Sequence, residues 1–236
     1  MADAWDREVF LEQLRAVGRG RYHDRHPFHR RMNEGQLTPD EIRCWVANRF
    51  YYQRNLPQKD AAIIANCPVA EVRRAWLRRL IDQDGAADGQ GGIAAWLRLA
   101  AAIGLTTEET LDERHVKPGV RFAVDAYLHF ARTQPWPIAV ASSLTELFAP
   151  DHMTDRLRAF ERYYPWIDPS GLDYFRRRPE QARRDAAYGL AVTLDYCTTA
   201  DLQRQAVQAL AFKCDVLWAL LDAVAHGSAA GGSDHG

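Results

Sequence analysis

A regular helical spacing between Ile42 and Ile63 is the feature that most restricts how this chain folds. Residues three and four positions apart form one stripe, which comprises Ile42, Trp45, Arg49, Tyr52, Leu56, Lys59 and Ile63. This is the spacing of a helix face that packs against a core. Two cations and a phenol therefore occupy positions that apolar residues normally fill. Because a buried unpaired charge is costly, this face has to meet an anion supplied by the protein or by a ligand.

Helical patterns continue along the rest of the chain, and no strand-like alternation of useful length interrupts them. The helix of the stripe starts at Thr38-Pro39-Asp40-Glu41, where Thr is the N-cap and Glu completes a capping box. Pro57 removes a backbone donor and is expected to kink this helix. Further helical segments are predicted at residues 6–17, 69–84, 93–103, 118–131, 138–149, 179–197 and 200–226.

The segment 200–226 is apolar on nearly every face, which is typical of a helix in the middle of a bundle. The sequence therefore predicts an all-α fold of about seven or eight long helices. Residues 1–226 are expected to form one domain, because no linker divides them. The Gly/Ser-rich residues 227–236 are predicted to be a disordered tail.

Composition and charge exclude several classes of protein. Of the 236 residues 47% are hydrophobic, enough for a sizeable core, and the formal net charge is only -1. No basic field is present to attract nucleic acid, and no apolar run is long enough to span a membrane. The four cysteines include no Cys-x-x-Cys pair and are read as reduced thiols. We therefore predict a cytoplasmic protein with neither nucleic acid nor membrane as a partner.

Two motifs that resemble ligand sites are given simpler explanations. His23, His26 and His29 recur every three residues, but Pro27 prevents one straight helix face from presenting all three. We predict no metal site there, and His23 alone remains a candidate site residue. The glycine-rich residues 85–92 lack the Gly-Lys-Ser/Thr of a phosphate-binding loop and follow no strand, so they are predicted to connect two helices.

Charged residues that interrupt apolar helix faces are the stronger indication of a site. Besides Arg49 and Lys59, these are Lys213 within residues 210–217, Arg79 with Gln83 on the stripe of Val72 and Trp76, and Glu146 within residues 138–148. Tyr174 and Arg178 lie four positions apart and share a face if their segment is helical. For any one of these residues, a side chain that reaches solvent or a structural ion pair is the simpler explanation.

Taken together, the inward cations outnumber the inward carboxylates. Only one clear inward carboxylate, Glu146, accompanies the four inward cations Arg49, Lys59, Arg79 and Lys213. Aspartates such as Asp60, Asp84 and Asp215 can offset part of the excess positive charge. An excess of inward cations suits a small polyanionic ligand, and interleaved tyrosines suit a flat conjugated one.

Several of these segments occur together in a known family. They include Arg21-Tyr22-His23, Arg49-Phe50-Tyr51-Tyr52-Gln53, Ser142-Ser143-Leu144-Thr145-Glu146-Leu147-Phe148 and Phe212-Lys213-Cys214. In order, from about Val9 to Leu221, they resemble the pyrroloquinoline quinone synthase family. The resemblance implies a heme-oxygenase-like bundle that holds no heme and acts as a homodimer. It also implies oxidation of a fused glutamate–tyrosine polycarboxylate by molecular oxygen, with ring closure, release of hydrogen peroxide and no metal or organic cofactor.

Residue roles follow from the same resemblance. Carboxylates and quinone oxygens of the ligand are expected to be bound by Arg49, Lys59, Arg79, Arg156, Arg178 and Lys213. The ring system is expected to be held by Tyr52, Gln53, Tyr127 and Glu146. The oxygen and proton-transfer side is expected to be lined by His23, Tyr174, Arg178 and Lys213.

Two positions depart from the family pattern. Gln83 stands where the family usually has a histidine that serves as general base, and glutamine cannot take up a proton near neutral pH. Some members have a histidine where this chain has Met153. His152 is one residue earlier, about 100° around a helix, and so is not expected to replace it. Gln83 is explained either as an engineered substitution that traps a bound complex or as a natural residue of a homologue with altered chemistry.

Other functions are also compatible with a bundle of this kind. With Gln83 in place, the protein could bind the quinone or its precursor without turning it over. A thiaminase-type hydrolase needs a cysteine nucleophile, for which only Cys197 and Cys214 lie late in the chain, neither in an evident catalytic setting. A di-iron oxidase needs several inward carboxylates and histidines, where the sequence shows an excess of cations. A helical interaction protein without a ligand is the remaining alternative.

Overall fold

The computed structural model describes the backbone of residues 3–229 and the side chains of residues 3–226. Within this range there are three 3₁₀ segments, no strand, and eleven α-helices: α1 (Arg7–Arg21), α2 (Pro27–Asn33), α3 (Pro39–Asn66), α4 (Ala70–Asp84), α5 (Gly91–Ala102), α6 (Thr107–Leu111), α7 (Pro118–Thr133), α8 (Trp136–Ala141), α9 (Ala149–Tyr163), α10 (Asp173–Tyr196) and α11 (Ala200–Ala229). Eight of them are long, with 12 to 30 residues. The predicted all-α class is therefore confirmed.

The apolar helix α11 lies in the middle of the bundle, as its sequence predicted. It packs against α1, α3, α7 and α8, while α3 also packs against α4, α5 and α7. On the other side of the core, α10 packs against α5, α8 and α9. The inward stripe of α3 and the buried face of α11 that includes Lys213 are thereby brought to the same interior as α10.

Helix α3 begins with the predicted capping box. The backbone nitrogen of Glu41 donates to the Thr38 hydroxyl over 3.2 Å, and the backbone nitrogen of Thr38 donates to the Glu41 carboxylate over 2.8 Å. The helix continues through Pro57 to Asn66. Proline costs a helix one hydrogen bond, and here the tertiary contacts on both sides of Pro57 keep the helix intact. Both halves of the inward stripe therefore lie on one element.

The predicted helix at residues 138–149 is wrong in its second half. Helix α8 ends at Ala141, and a 3₁₀ segment, Ser142–Leu147, follows it. The Ser142 hydroxyl donates to the carbonyl of Ala139 over 2.6 Å. Serine side chains that bond to nearby backbone in this way weaken a regular helix. The change of pitch places Glu146 toward the interior, and Pro150 then lies in the first turn of α9.

The predicted start of a helix at Pro179 is also wrong, because α10 begins at Asp173 and carries Pro179 in its interior. An interior proline costs about 3 kcal/mol. Buried contacts of the preceding turn offset this cost, since Arg178 forms ion pairs there with Glu146 and Asp185. A continuous α10 also places Arg178 and Asp185 two turns apart on one face.

None of the helices within residues 3–229 carries an apolar stretch long enough to cross a bilayer. Helix α11 extends to Ala229. The other residues of the predicted tail, 230–236, lie outside the described part of the chain.

Candidate functional site

The predicted site residues lie together in the interior of the bundle. All of them are buried except Arg49 and Glu146, which are partly exposed. A cavity of about 40 Å³ lies at their centre. The predicted residues that line it are His23, Arg49, Tyr52, Glu146, Arg156, Tyr174 and Arg178. The lining is completed by Tyr22, Leu56, Thr145, Ala149, Met153 and Leu217.

Two tyrosines and two cations pack together on one side of the predicted site. The rings of Tyr52 and Tyr127 are nearly parallel, at 8°, with centroids 6.5 Å apart. Lys213 Nζ lies 3.7 Å from the Tyr127 ring centroid and donates to the Tyr52 hydroxyl over 2.6 Å. The Arg49 guanidinium lies 4.0 Å from the centre of the Tyr52 ring. Burial and the nearby charges of Arg49 and Lys59 hold the pKa of Lys213 well below its ordinary value.

Side-chain amides form a second wall. The Tyr174 hydroxyl donates to Gln53 Oε1 over 3.1 Å, and Gln53 Nε2 donates to Gln83 Oε1. Gly92, at the start of α5, lies against this pair, since a Cβ there would be 2.2 Å from Gln83 Oε1. A larger residue at position 92 would therefore require the Gln83 amide to shift. Gln83 is therefore a fixed hydrogen-bonding group of the interior that takes up no proton.

Asp60 neutralises part of the inward positive charge. Its carboxylate forms an ion pair with Lys59 and accepts from Arg79 Nε over 3.3 Å and from Trp76 Nε1 over 2.8 Å. Burial alone would raise the pKa of Asp60, but the two cations outweigh burial and lower the pKa below its ordinary value. Lys59 therefore has its own counter-ion inside the protein.

Asp185 and Glu146 neutralise two arginines on the opposite side. Asp185 Oδ2 lies 3.1 Å from a terminal nitrogen of Arg79 and 3.1 Å from one of Arg178. Glu146 Oε1 accepts from Arg79 over 3.3 Å and from Arg178 over 2.5 Å. Burial opposes the charged state of both arginines, yet these carboxylates raise the pKa of each above its ordinary value.

The expected excess of inward cations is therefore smaller than the sequence indicated. Of the aspartates proposed to offset it, Asp60 is inside, whereas Asp84 is exposed and Asp215 pairs with Arg21 at the surface. Asp185 was not predicted to lie in the site, because a helix was expected to start at Pro179. That boundary placed Asp185 and Arg178 in different segments. Among the inward cations predicted for the site, those that form no ion pair with a carboxylate within the described side chains are Arg49, Arg156 and Lys213.

Three buried imidazoles lie beside the cavity. One ring nitrogen each of His23, His29 and His152 lies within 4.8 Å of the other two, whereas His26 turns away to Asp222, 3.0 Å from its carboxylate. Burial, with Arg156 adding to it, lowers the pKa of each well below the ordinary histidine value. This spacing would suit a metal ion, but a guanidinium nitrogen of Arg156 lies 2.5 Å from His152 Nε2 and opposes a dication.

His152 was not expected to replace the histidine that some relatives have at the position of Met153. Both side chains are buried: Met153 lines the cavity, and the His152 ring lies 5.1 Å from the His23 ring. The available signal was the four-residue spacing between His152 and Arg156, which places them on one face of α9.

The two late cysteines are poor nucleophiles. Burial raises the pKa of Cys197 to about 11 and that of Cys214 to about 12. A thiol attacks as its thiolate, and little thiolate forms near neutral pH at such values. The geometry therefore disfavours the hydrolase alternative.

Comparison with known proteins finds similar chains over most of this sequence. Pyrroloquinoline-quinone synthase of Ectopseudomonas mendocina is 56% identical over 215 residues, covering 91% of this chain and 86% of that protein. The synthase of Pseudomonas aeruginosa PAO1 is 55% identical over 221 residues, covering 94% and 88%. Both relatives match more than nine tenths of this chain.

Solved structures with low sequence identity share the fold. A TenA homologue from Pseudomonas syringae superposes with a TM-score of 0.76 at 12% identity, covering 96% of this chain and 99% of that one. A domain with a heme oxygenase-like fold from Shewanella denitrificans gives 0.75 at 13% identity, covering 97% and 94%. The expected heme-oxygenase-like bundle is thereby confirmed. Residues 11–223 match one family model, and the chain belongs to the TENA/THI-4/PQQC family.

Proposed function

We propose that this protein is a pyrroloquinoline-quinone synthase. It closes a ring in a fused glutamate–tyrosine polycarboxylate and oxidises the product with molecular oxygen, releasing hydrogen peroxide, without a metal or organic cofactor. The observation that carries the proposal is a set of three inward cations without carboxylate partners: Arg49 and Arg156, which line the cavity together with tyrosines, and Lys213, which donates to the Tyr52 hydroxyl of its lining. The names of the relatives support the same activity.

The unpaired cations are the carboxylate-binding groups of this proposal. A cation that already has a buried counter-ion gains little electrostatic stabilisation from a second anion. A cation without a counter-ion gains the full stabilisation from a ligand carboxylate. Lys59, Arg79 and Arg178 have such counter-ions in Asp60, Asp185 and Glu146, so they act mainly by positioning and by hydrogen bonds.

The remaining walls suit a flat conjugated ring. Tyr52 and Tyr127 present ring faces beside Lys213, and stacked rings stabilise one another. Gln53, Gln83 and Tyr174 offer amide and hydroxyl groups to quinone oxygens and ring nitrogens. As protons leave the substrate, the nearby cations stabilise the enolate-like charge that develops, and the electron-rich ligand then reduces oxygen directly.

Binding requires the cavity to open. A volume of about 40 Å³ holds roughly one water molecule. Sites for small organic ligands usually measure about 300–1,000 Å³. Side chains or helices of the wall therefore move outward when the polycarboxylate precursor enters.

The direct test is turnover of the precursor by purified protein. We expect quinone absorbance to appear together with oxygen uptake and hydrogen peroxide, and a strong chelator to leave the rate unchanged. The original chain is compared with Arg178→Lys. This variant keeps the positive charge but loses the two simultaneous contacts of the guanidinium with Glu146 and Asp185. Loss of activity on chelation would contradict the metal-free mechanism, and absence of any turnover by a Gln83→His variant would contradict the synthase assignment.

Binding of the ligand is expected to take up a proton at Lys213. Without ligand, the pKa of this amine lies well below its ordinary value because of burial and neighbouring cations. A ligand carboxylate favours the charged form and raises the pKa, so affinity increases as pH falls toward the pKa of the free protein. Calorimetry in buffers of different ionisation enthalpy measures the uptake. We expect Lys213→Met to abolish the proton uptake and the control Lys117→Met to retain it. Equal proton uptake in the two variants would show that another group titrates.

Binding without turnover is the alternative that Gln83 favours. The side chain is buried in contact with Gln53, so the place where the family has its base takes up no proton. Tight binding of the quinone with no oxygen consumption would support this function. In either case we also propose a homodimer in the cytoplasm, on the strength of the family resemblance.

A further inference from the structure

Two cavities meet at a thin partition made of aromatic side chains. The inner one is the cavity of about 40 Å³ that His23 and Tyr22 line. The outer one is a surface cleft of about 390 Å³ that Tyr22 and His152 line. Tyr22 therefore belongs to both, and one histidine faces each side.

The two histidines are neighbours across this partition. Their ring centroids lie 5.1 Å apart, and ring nitrogens of the two lie within 4.8 Å of each other. One bridging water or a modest ring rotation spans such a gap. His23 is 7% exposed, and its Nδ1 has no hydrogen-bond partner in the described structure. A buried imidazole nitrogen with no partner is costly, which indicates that it serves a group absent from the resting protein.

The outer cleft can receive protons. Asp24, Asp151 and Asp155 lie along it, all three exposed, and outnumber the two arginines of the cleft, Arg19 and Arg25. This net negative charge lies opposite the inner cavity, where Arg49 and Arg156 form no ion pair. A proton that leaves the cavity through this partition therefore moves from a positive toward a negative region.

We propose that His23 and His152 form a proton path between the buried cavity and the aspartate-lined cleft. The proposal rests on the synthase function, in which protons leave a substrate enclosed by the bundle. His23 touches the reacting region, whereas His152 acts through His23. Neither the family pattern nor the sequence assigns His152 this role, since it lies one residue before the position where relatives have histidine.

The transfer balances without any redox change. A substrate C–H or N–H bond breaks, its electron pair stays on the substrate, and the proton forms an N–H bond on His23. That bond then breaks as an N–H bond forms on His152, which releases the proton to water in the cleft. Both imidazoles are neutral in the resting protein, because burial lowers the pKa of each, so both begin as proton acceptors.

Arg156 couples the path to ligand binding. Its guanidinium lies 2.5 Å from His152 Nε2 and occupies that lone pair in the resting protein. As a cation without a carboxylate partner, it turns to a ligand carboxylate and frees Nε2. The groups that face the pair are Arg156, Arg49, Lys213, Tyr22 and Asp24, together with the third imidazole, His29.

The test that needs no turnover is proton exchange at His23. With ¹⁵N-labelled imidazoles, NMR measures how fast the ring N–H of His23 exchanges with water. We expect His152→Gln, which keeps an acceptor for Arg156 but carries no proton, to slow this exchange at least tenfold, and His115→Gln, a partly exposed control, to leave it unchanged. An unchanged rate in His152→Gln overturns the proton path whether or not the protein is active.

Turnover gives a second, separate result. In His152→Ala we expect a lower kcat, a nearly unchanged KM, and rescue of kcat by added imidazole, which enters the cleft from solvent. Wild-type kcat in His152→Ala would overturn the path, as would stoichiometric binding of Co²⁺ that His152→Gln abolishes. If the protein turns over no precursor, the synthase assignment fails, and the NMR exchange rate still decides the proton path.

Discussion

Replacing Gln83 with histidine is expected to raise the rate of quinone formation by about 10²-fold or more. General base catalysis contributes about 10²–10⁴-fold to rates of proton removal. Gln83 is buried in the site and bonded to Gln53, but it takes up no proton. A histidine there is neutral near pH 7 if burial lowers its pKa, so it begins as an acceptor.

The measurement is single-turnover quinone absorbance with simultaneous oxygen uptake at saturating precursor. Gln83→Asn is the control, because it keeps an amide and gains no base; its rate should not exceed that of the original chain. A rate in Gln83→His no higher than in Gln83→Asn would show that position 83 is not where a base is missing.

Asp185→Asn is expected to lower the free energy of unfolding by about 3–5 kcal/mol, the usual cost of removing one partner from a buried ion pair. Asp185 is 7% exposed and contacts Arg79, Arg178 and Arg184. Asparagine keeps the shape and removes the charge, which leaves Arg178 with Glu146 alone and Arg79 with Glu146 and Asp60.

Urea unfolding at pH 7.5 measures the difference. Asp195→Asn is the matched control: that carboxylate also pairs with an arginine, Arg7, over 2.8 Å, but both side chains are more than half exposed. Exposed pairs contribute about 0–1 kcal/mol. Equal losses in the two variants would show that the buried network adds no more stability than a surface pair.

The effect of Asp185→Asn is also expected to depend on pH. The neighbouring arginines outweigh burial and lower the pKa of Asp185 below its ordinary 3.8. A carboxyl group with a depressed pKa stabilises the folded state above its ordinary pKa, and this stabilisation disappears as pH falls through the lower folded-state pKa. The difference in free energy of unfolding between the original chain and Asp185→Asn should therefore decrease only below about pH 4. A difference that already decreases near pH 6 would show that histidines cause it instead.

Much of the fold could be read from local patterns. The capping box at Thr38, the stripe of α3 and the all-round apolar α11 depend on neighbours within one or two turns, so the sequence predicts them directly. The errors occurred at Ser142 and Pro179. At both, a residue's local preference competes with contacts from distant helices, and the sequence shows only the preference.

The sequence likewise indicated some of the residues that lie in the candidate site and not others. Arg49, Lys213 and Tyr174 were found because a polar group on an apolar helix face is visible in the sequence. Asp185 was missed because nothing local distinguishes it from a surface residue, and it becomes informative only through partners on other elements. The role of His152 was left open, although its spacing from Arg156 was a local signal.

The sequence by itself determined that the chain is helical, which faces turn inward and that several of those faces carry cations, because helix periodicity is a property of neighbouring residues. Only the tertiary structure decided which cations have counter-ions. Arg79 and Arg178 meet Asp185 and Glu146 inside the bundle, whereas Arg49, Arg156 and Lys213 meet no carboxylate within the described side chains. Electrostatic pairing depends on distance in space, which the packing of helices far apart in sequence sets.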